Sequence, residues 1–210
     1  YLNNGFGDFT YAPELIPDIR VSGKAVEAFD YDSDGDLDLF VGGRHVPGNY
    51  PQPTSSYLLK NDGGVFTDVT ESIFVDLQNI GMVTSAAFLD IQNDGMPELA
   101  VTGEWMDIRI FSFDGEKFGE IDQAFEDEAQ TGWWFSLKKA DVDNDGNMDL
   151  LAGNLGLNYK YQASKNSPFE VYSKDFDDNG GSDIVLGYSD GKSSYPVRGL
   201  QCSSQQIPDL

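Results

Sequence analysis

One short stretch carries most of the residues that could do chemistry. Residues 30–39, DYDSDGDLDL, place five aspartates at alternate positions, and an apolar run follows directly. Two carboxylates about 4 Å apart repel by roughly 1 kcal/mol in water and by about 4 kcal/mol near a protein surface, so a compact loop of this kind needs a cation. Calcium takes six to eight oxygen ligands at about 2.3–2.6 Å. The stretch therefore predicts a calcium loop: side-chain oxygens from positions 1, 3, 5 and 9, a backbone carbonyl from position 7, and a turn at the position 6 glycine.

The same pattern occurs four times, so up to four Ca²⁺ ions are expected. The candidate ligands of the first and third loops, where the pattern is complete, are Asp30, Asp32, Asp34, the Asp36 carbonyl and Asp38, and Asp141, Asp143, Asp145, the Asn147 carbonyl and Asp149. Those of the second and fourth loops are Asp90, Gln92, Asp94, the Met96 carbonyl and Glu98, and Asp175, Asp177, Asn179, the Gly181 carbonyl and Asp183. Because Gln92 and Asn179 are neutral, the second and fourth loops fit calcium less well, and the second fits least.

Two other kinds of loop share part of this pattern. An EF-hand requires a bidentate Glu at position 12 and flanking helices. Position 12 is apolar in all four loops, namely Val41, Val101, Ala152 and Leu186, which excludes the EF-hand and, with it, dockerin-type loops. Acidic turns without metal are the remaining alternative. Four copies in register, each with an acid at position 9 followed by an apolar stretch, favour calcium.

The flanking residues predict the elements that position these loops. A short stretch of small and apolar residues precedes each loop and another follows it, and each is too short for a helix and reads as a strand. Further strand pairs enclose tight turns, as in YLLKNDGGVFTDVT from Tyr57 and IRIFSFDGEKFGEI from Ile108, where glycine supplies the positive φ that a hairpin needs. Four antiparallel strands per repeat is the plan of a β-propeller blade. The one candidate for a helical turn is 120–130, and the Pro-rich stretch 46–56 is expected to be an exposed loop.

The acidic loop followed by a strand and glycine resembles the FG-GAP repeat of integrin α-subunit propellers, and more closely its bacterial VCBS-type version. Residues 153–180 and 198–210 also resemble segments of large bacterial extracytoplasmic propeller proteins. The resemblance implies that each loop joins the first and second strands of a blade and binds calcium on one face of the propeller. It also implies an extracytoplasmic location: secreted, periplasmic or at the cell surface.

The expected fold is an all-β, integrin-α-like β-propeller region over 1–210. Because the chain opens in the middle of the repeat pattern, it is expected to be part of a larger propeller of about seven blades, with a compact four-bladed closure as the alternative. The predicted divisions are outer strands of a preceding blade at 1–20, blades at 21–75 and 81–125, a reduced blade at 132–165 and a final partial blade at 166–210.

Composition limits the partners. The chain has 36 acidic and 13 basic residues and a formal net charge of −23, so binding to nucleic acid or to anionic lipid is not expected. No apolar run approaches 18 residues, so no direct membrane insertion is expected. The lone Cys202 excludes an intrachain disulfide and a Cys-based zinc site.

No catalytic residue is identified. His45 is the only histidine and is expected to be exposed in a loop. Trp105, Trp133 and Trp134 could form a stacking surface for sugars or partner side chains, although core packing is favoured for the adjacent pair.

The sequence therefore predicts a calcium-binding, non-enzymatic interaction or adhesion module with an unidentified protein or glycan ligand. The alternative is the propeller portion of a carbohydrate-active enzyme such as a polysaccharide lyase, which the lack of clustered His, Arg or Lys among the loops disfavours.

Overall fold

The computed structural model describes residues 1–121, 125 and 131–199, and these form two compact units. Of the described residues, the first unit comprises those of Tyr1–Arg44 and Pro53–Asn154, and the second comprises His45–Gln52 and 155–199. Most of the predicted helical segment 120–130, and Cys202, lie outside the described residues.

The first unit opens with a small hairpin and a complete four-stranded sheet. The hairpin pairs β1 (Leu2–Asn3) with β2 (Phe9–Thr10). The sheet is antiparallel, in the order β3-β4-β5-β6. Its strands are β3 (Gly23–Phe29), β4 (Asp38–Gly43), β5 (Tyr57–Asp62) and β6 (Val65–Asp68). Gly63 and Gly64 turn β5 into β6 with φ values of 60° and 95°, which confirms the predicted hairpin.

The second sheet repeats this plan and extends it. Its first four strands are β7 (Met82–Leu89), β8 (Glu98–Met106), β9 (Arg109–Phe113) and β10 (Phe118–Glu120). The far end of β8 also pairs with β11 (Gly132–Ala140), which pairs with β12 (Asp149–Asn154).

Helical structure in the described residues is confined to short turns. The α-helix α1 spans Thr70–Ile73, and 3₁₀ turns span Pro13–Leu15, Val75–Asn79 and Gly156–Asn158. The described part of the chain contains no helix with the length and hydrophobicity needed to cross a membrane.

The second unit contains a three-stranded antiparallel meander. Its strands are β13 (Phe169–Lys174), β14 (Asp183–Ser189) and β15 (Ser194–Pro196), in that order across the sheet. In sequence and pairing, β13 and β14 repeat the first two strands of the sheets in the first unit.

The core of the first unit lies between successive sheets. Strand β7 packs against β3 on one side and β11 on the other. Phe40, Leu58, Val83 and Phe111 belong to one buried cluster, and Leu137 belongs to a second one with residues of β7 to β9. An all-β fold of blade-type antiparallel sheets confirms the predicted propeller-like fold class. The blade boundaries given above stay predictions.

Candidate metal centres

Each acidic loop joins the first two strands of a sheet, as the sequence predicts. The loops occupy 30–37 between β3 and β4, 90–97 between β7 and β8, 141–148 between β11 and β12, and 175–182 between β13 and β14. The Ser33 hydroxyl of the first loop donates to Met96 Sδ of the second at 3.4 Å. The first two loops therefore lie side by side at the same end of neighbouring sheets.

One hydrogen-bond frame organises all four loops. The position 1 carboxylate accepts the backbone N–H of position 5 on one oxygen and that of the position 6 glycine on the other, at 2.8–3.2 Å. The position 1 residues are Asp30, Asp90, Asp141 and Asp175. Because one carboxylate holds two consecutive amides, the chain must curl around it.

Two further bonds recur and close the frame. The position 5 side chain accepts the N–H of position 7 at 2.7–3.0 Å. The position 9 carboxylate accepts the N–H of position 2 at 2.7–3.2 Å, which ties the start of the second strand to the start of the loop. The position 9 acids are Asp38, Glu98, Asp149 and Asp183.

The backbone conformation also repeats, and it involves a position that sequence reasoning missed. Position 6 is glycine with φ between 84° and 95° in every loop. Position 4 also has a positive φ, between 53° and 63°, and is never glycine. These residues are Ser33, Asn93, Asn144 and Asp178. Three of the four are Asn or Asp, the side chains that best tolerate this region, and that preference was the available signal.

Three of the loops bring three carboxylates together. The clusters, which use positions 1, 3 and 9, are Asp30 with Asp32 and Asp38, Asp141 with Asp143 and Asp149, and Asp175 with Asp177 and Asp183. In each, one oxygen from every residue lies within 4.8 Å of the others. Two oxygens bound to one calcium at 2.3–2.6 Å cannot be more than about 5 Å apart, so the residues present fit a shared ion. The described residues of the second loop form no such group, because Gln92 replaces the position 3 carboxylate.

The position 5 side chains stand outside these three clusters. Asp34 and Asp145 are instead held by the N–H two residues further on, and this hydrogen bond is the main reason that the pKa of each carboxyl is lowered from its usual value. Both groups are therefore ionised at neutral pH. The ligand roles predicted for position 5 and for the position 7 carbonyls remain predictions.

The first loop is more deeply embedded than the others. Asp38 is 1% exposed and accepts a second N–H, from Asn61 of β5, at 2.8 Å. Burial raises the pKa of Asp38, while the N–H groups of Asn61 and Tyr31 oppose that shift. Tyr31, at position 2, packs edge-on to Phe113 of β9 with ring centroids 5.0 Å apart. Burial, followed by the neighbouring Asp32, raises the pKa of Tyr31 to about 12.

A lysine that sequence reasoning missed reaches the first loop. The Lys60 ammonium on β5 donates to Asp32 and lies 3.2 Å from Asp34 Oδ2. Lys60 is a single basic group, and it does not form the cluster of His, Arg or Lys whose absence the sequence indicates. Pairing of β4 with β5 carries Lys60 to the loop, and a register between strands separated by a long connection cannot be read from the sequence.

The other described residues singled out in the sequence do not belong to the carboxylate clusters. His45 is half-buried rather than exposed, with its ring 6.1 Å from that of Tyr50. Trp105 and Trp133 form an edge-to-face pair with centroids 5.0 Å apart, and both are partly exposed. Trp105 adopts a φ of 59° near the end of β8, which is the end opposite the acidic loop.

The fold and the loops together define an all-β protein built from repeated strand–acidic loop–strand units. Residues 90–152 match the sequence model of the FG-GAP-like repeat family. This stretch is an FG-GAP-like repeat, and it contains the second and third loops and strands β8 to β11. No curated protein matches the chain significantly. FG-GAP repeats are typical of extracellular interaction modules.

Proposed function

We propose that this chain is a calcium-binding, non-enzymatic interaction module that works outside the cytoplasm. The observation that carries the proposal is the recurrence of three carboxylate clusters on one shared hydrogen-bond frame. The frame uses backbone N–H groups to hold each position 1 carboxylate, so the carboxylates are oriented before any ion arrives. An organised set of like charges is what a cation site requires.

The donor chemistry favours calcium over other metals. The clustered side chains are all carboxylates, hard oxygen donors that suit calcium and magnesium rather than zinc or copper. Magnesium demands near-ideal octahedral geometry and gives up its water reluctantly, whereas calcium accepts irregular sets of six to eight oxygens. Asp32 Oδ1, which is buried and finds no hydrogen-bond partner among the described residues, is a free oxygen of the kind that a bound cation would use.

In this proposal, calcium stabilises the scaffold and the scaffold presents a binding surface. A bound ion would link the end of one strand to the start of the next in the same sheet. FG-GAP repeats support an interaction role, and the ligand would be a protein or a glycan, as in adhesion. Extracellular modules bind calcium with dissociation constants of about 0.1–1 mM, which fits a compartment with millimolar calcium.

Counting bound ions tests the calcium part. Equilibrium dialysis of the chelator-treated protein against about 10 mM calcium, followed by elemental analysis, should give about three ions per chain. Asp143→Asn in the third loop should lower the count by one. Asp62→Asn, which removes an exposed carboxylate at the end of β5, is the matched control and should not lower it. A protein that retains no calcium would overturn the proposal.

Ligand and enzyme assays test the remaining part. A glycan array and a pull-down with candidate cell-surface proteins, each in calcium and in chelator, should reveal calcium-dependent binding. The alternative, a propeller portion of a polysaccharide lyase, predicts turnover of pectate or alginate. Lys60, the one ammonium found at a loop carboxylate among the described residues, is paired with aspartates, which disfavours uronate binding there. Measured lyase turnover would replace the non-enzymatic interpretation by the alternative.

A further inference from the structure

The carboxylate clusters differ in one respect that the repeat does not explain. Among the described residues, a basic side chain contacts only the first: Lys60 bridges Asp32 and Asp34, with both contacts made by the same nitrogen. In the described part of the chain, no lysine or arginine contacts the acids of the third or fourth cluster. The first loop thus already contains a positive charge.

Strand register shows that this lysine is a property of the first sheet and not of the repeat. Leu39, the residue after the first cluster, pairs with Leu59, so Lys60 is the next residue along β5. In the second sheet the corresponding Leu99 pairs with Phe111. The residue after Phe111 is Ser112. One sheet therefore has an ammonium where its neighbour has a hydroxyl.

The position of the ammonium brings it into competition with a metal. Asp32 belongs to the carboxylate cluster of the first loop, and Lys60 takes one of its oxygens. Its pairing is reinforced by partial burial, since the side chains of Lys60 and Asp32 are 34% and 17% exposed. A calcium ion that uses both oxygens of Asp32 must first displace the ammonium or share the carboxylate with it.

We infer that Lys60 is a built-in counter-ion of the first loop, which holds that loop in its folded form without calcium and lowers its affinity for the ion relative to the third and fourth loops. This inference rests on the proposed calcium function and deepens it. The sites then differ in how much they depend on calcium: Lys60 offsets part of the negative charge of the first loop at low calcium, whereas the third and fourth loops need a bound ion to offset theirs.

Site-resolved calcium titration of the full chain tests the inference. The amides of Gly35, Gly146 and Gly180 each donate to the position 1 carboxylate of a different loop, so their NMR cross-peaks report the loops separately. In the wild type, Gly35 should respond at a higher calcium concentration than Gly146 and Gly180. In Lys60→Ser, which copies the second sheet, the Gly35 midpoint should fall about tenfold, while the other two stay unchanged.

A matched variant controls for net charge. Lys24→Ser removes one positive charge from β3 at the end far from the loop, where the ammonium lies 5.0 Å from the Phe135 ring centroid. This variant should leave the Gly35 midpoint unchanged. Lys60→Met, which keeps the apolar part of the side chain, replaces Lys60→Ser if the serine variant does not fold in chelator.

The outcomes separate the two proposals. An unchanged Gly35 midpoint in the Lys60 variants, with Gly146 and Gly180 titrating normally, would overturn the counter-ion role and leave the calcium function intact. A shift in Lys24→Ser as large as that in Lys60→Ser would reduce the effect to net charge and also overturn it. If no loop responds up to about 10 mM calcium in either protein, both proposals are wrong.

Discussion

The first and third acidic loops share a ligand pattern and a hydrogen-bond frame, yet their surroundings differ. In the first, position 9 is the buried Asp38, which accepts a hydrogen bond from the N–H of Asn61 on β5. Position 2 is the buried Tyr31. In the third, Asp149 is half-exposed and the position 2 residue Val142 is 59% exposed. Packing therefore holds the first loop in place, whereas the third depends on its own hydrogen bonds and on any ion it binds. A repeated motif thus need not have the same role in every copy.

Calcium removal should have the largest effect and should separate the two loops. With three sites and a dissociation constant near 0.1 mM, about 1 mM calcium contributes roughly 4 kcal/mol to the free energy of unfolding. We expect a chelator to lower the melting temperature by about 10 °C. In hydrogen exchange, β11 and β12 should lose protection more than β3 and β4. Equal loss in both strand pairs would mean that the first and third loops depend on calcium to the same extent.

Truncation at position 2 should come next. Tyr31→Ala removes a buried ring from the core between the first two sheets and should cost about 3 kcal/mol in the free energy of unfolding. Val142→Ala, at the same position of the third loop, should cost less than about 0.5 kcal/mol because the side chain is exposed. Tyr31→Phe keeps the ring and is the control, expected to unfold close to the wild type. Urea denaturation measures all three, and similar costs for Tyr31→Ala and Val142→Ala would show that the two positions are equivalent.

Removal of the position 9 carboxylate should have a smaller effect that depends on the loop. In chelator, Asp38→Ala leaves the N–H groups of Tyr31 and Asn61 without their acceptor, which should cost about 2 kcal/mol. Asp149→Ala frees only the N–H of Val142, which water can reach, and should cost under about 1 kcal/mol. Denaturation in chelator compares them directly. A larger cost for Asp149→Ala would reverse the proposed order.

The smallest effect concerns an ion pair that calcium should leave untouched. Arg109 and Glu120 pair across β9 and β10 with Nη2 2.6 Å from Oε2. The hydrogen bond from Arg109 is the main reason that the pKa of Glu120 is lowered. Because the folded pKa lies below the unfolded one, the stabilisation is present above the unfolded value and is lost as pH falls through the folded value.

Glu120→Gln should therefore unfold more easily than the wild type at pH 7, by about 0.5 kcal/mol or less for a partly exposed pair. The difference should disappear once the pH has fallen below the folded pKa of Glu120. Melting curves at a series of pH values, with and without calcium, measure it. A calcium-dependent difference would mean that the second sheet is not independent of its loop.

The local features of the fold could be predicted from the sequence because each depends on the types and spacing of neighbouring residues. The strand–loop–strand order, the hairpin glycines and the acids at positions 1, 3, 5 and 9 each follow from a few adjacent residues, and the structure agrees on the order and the turns. The positive φ at position 4 could have been predicted in the same way, because three of the four residues there are Asn or Asp. Lys60 was not, since β5 is separated from the loop by the long 46–56 insertion. Nor could periodicity reveal that β8 also pairs with β11.

The sequence by itself determined the register of the repeat and which oxygens are available, because alternation along a strand and the turn at glycine depend on neighbouring residues alone. Only the tertiary structure decided how the loops differ. In it Asp38 and Tyr31 are buried and Asp149 is half-exposed. Among the described residues, an ammonium contacts the first cluster and not the others. The physical reason is that burial and charge pairing depend on which strands pack together, and that choice is made across the sheet rather than along the chain.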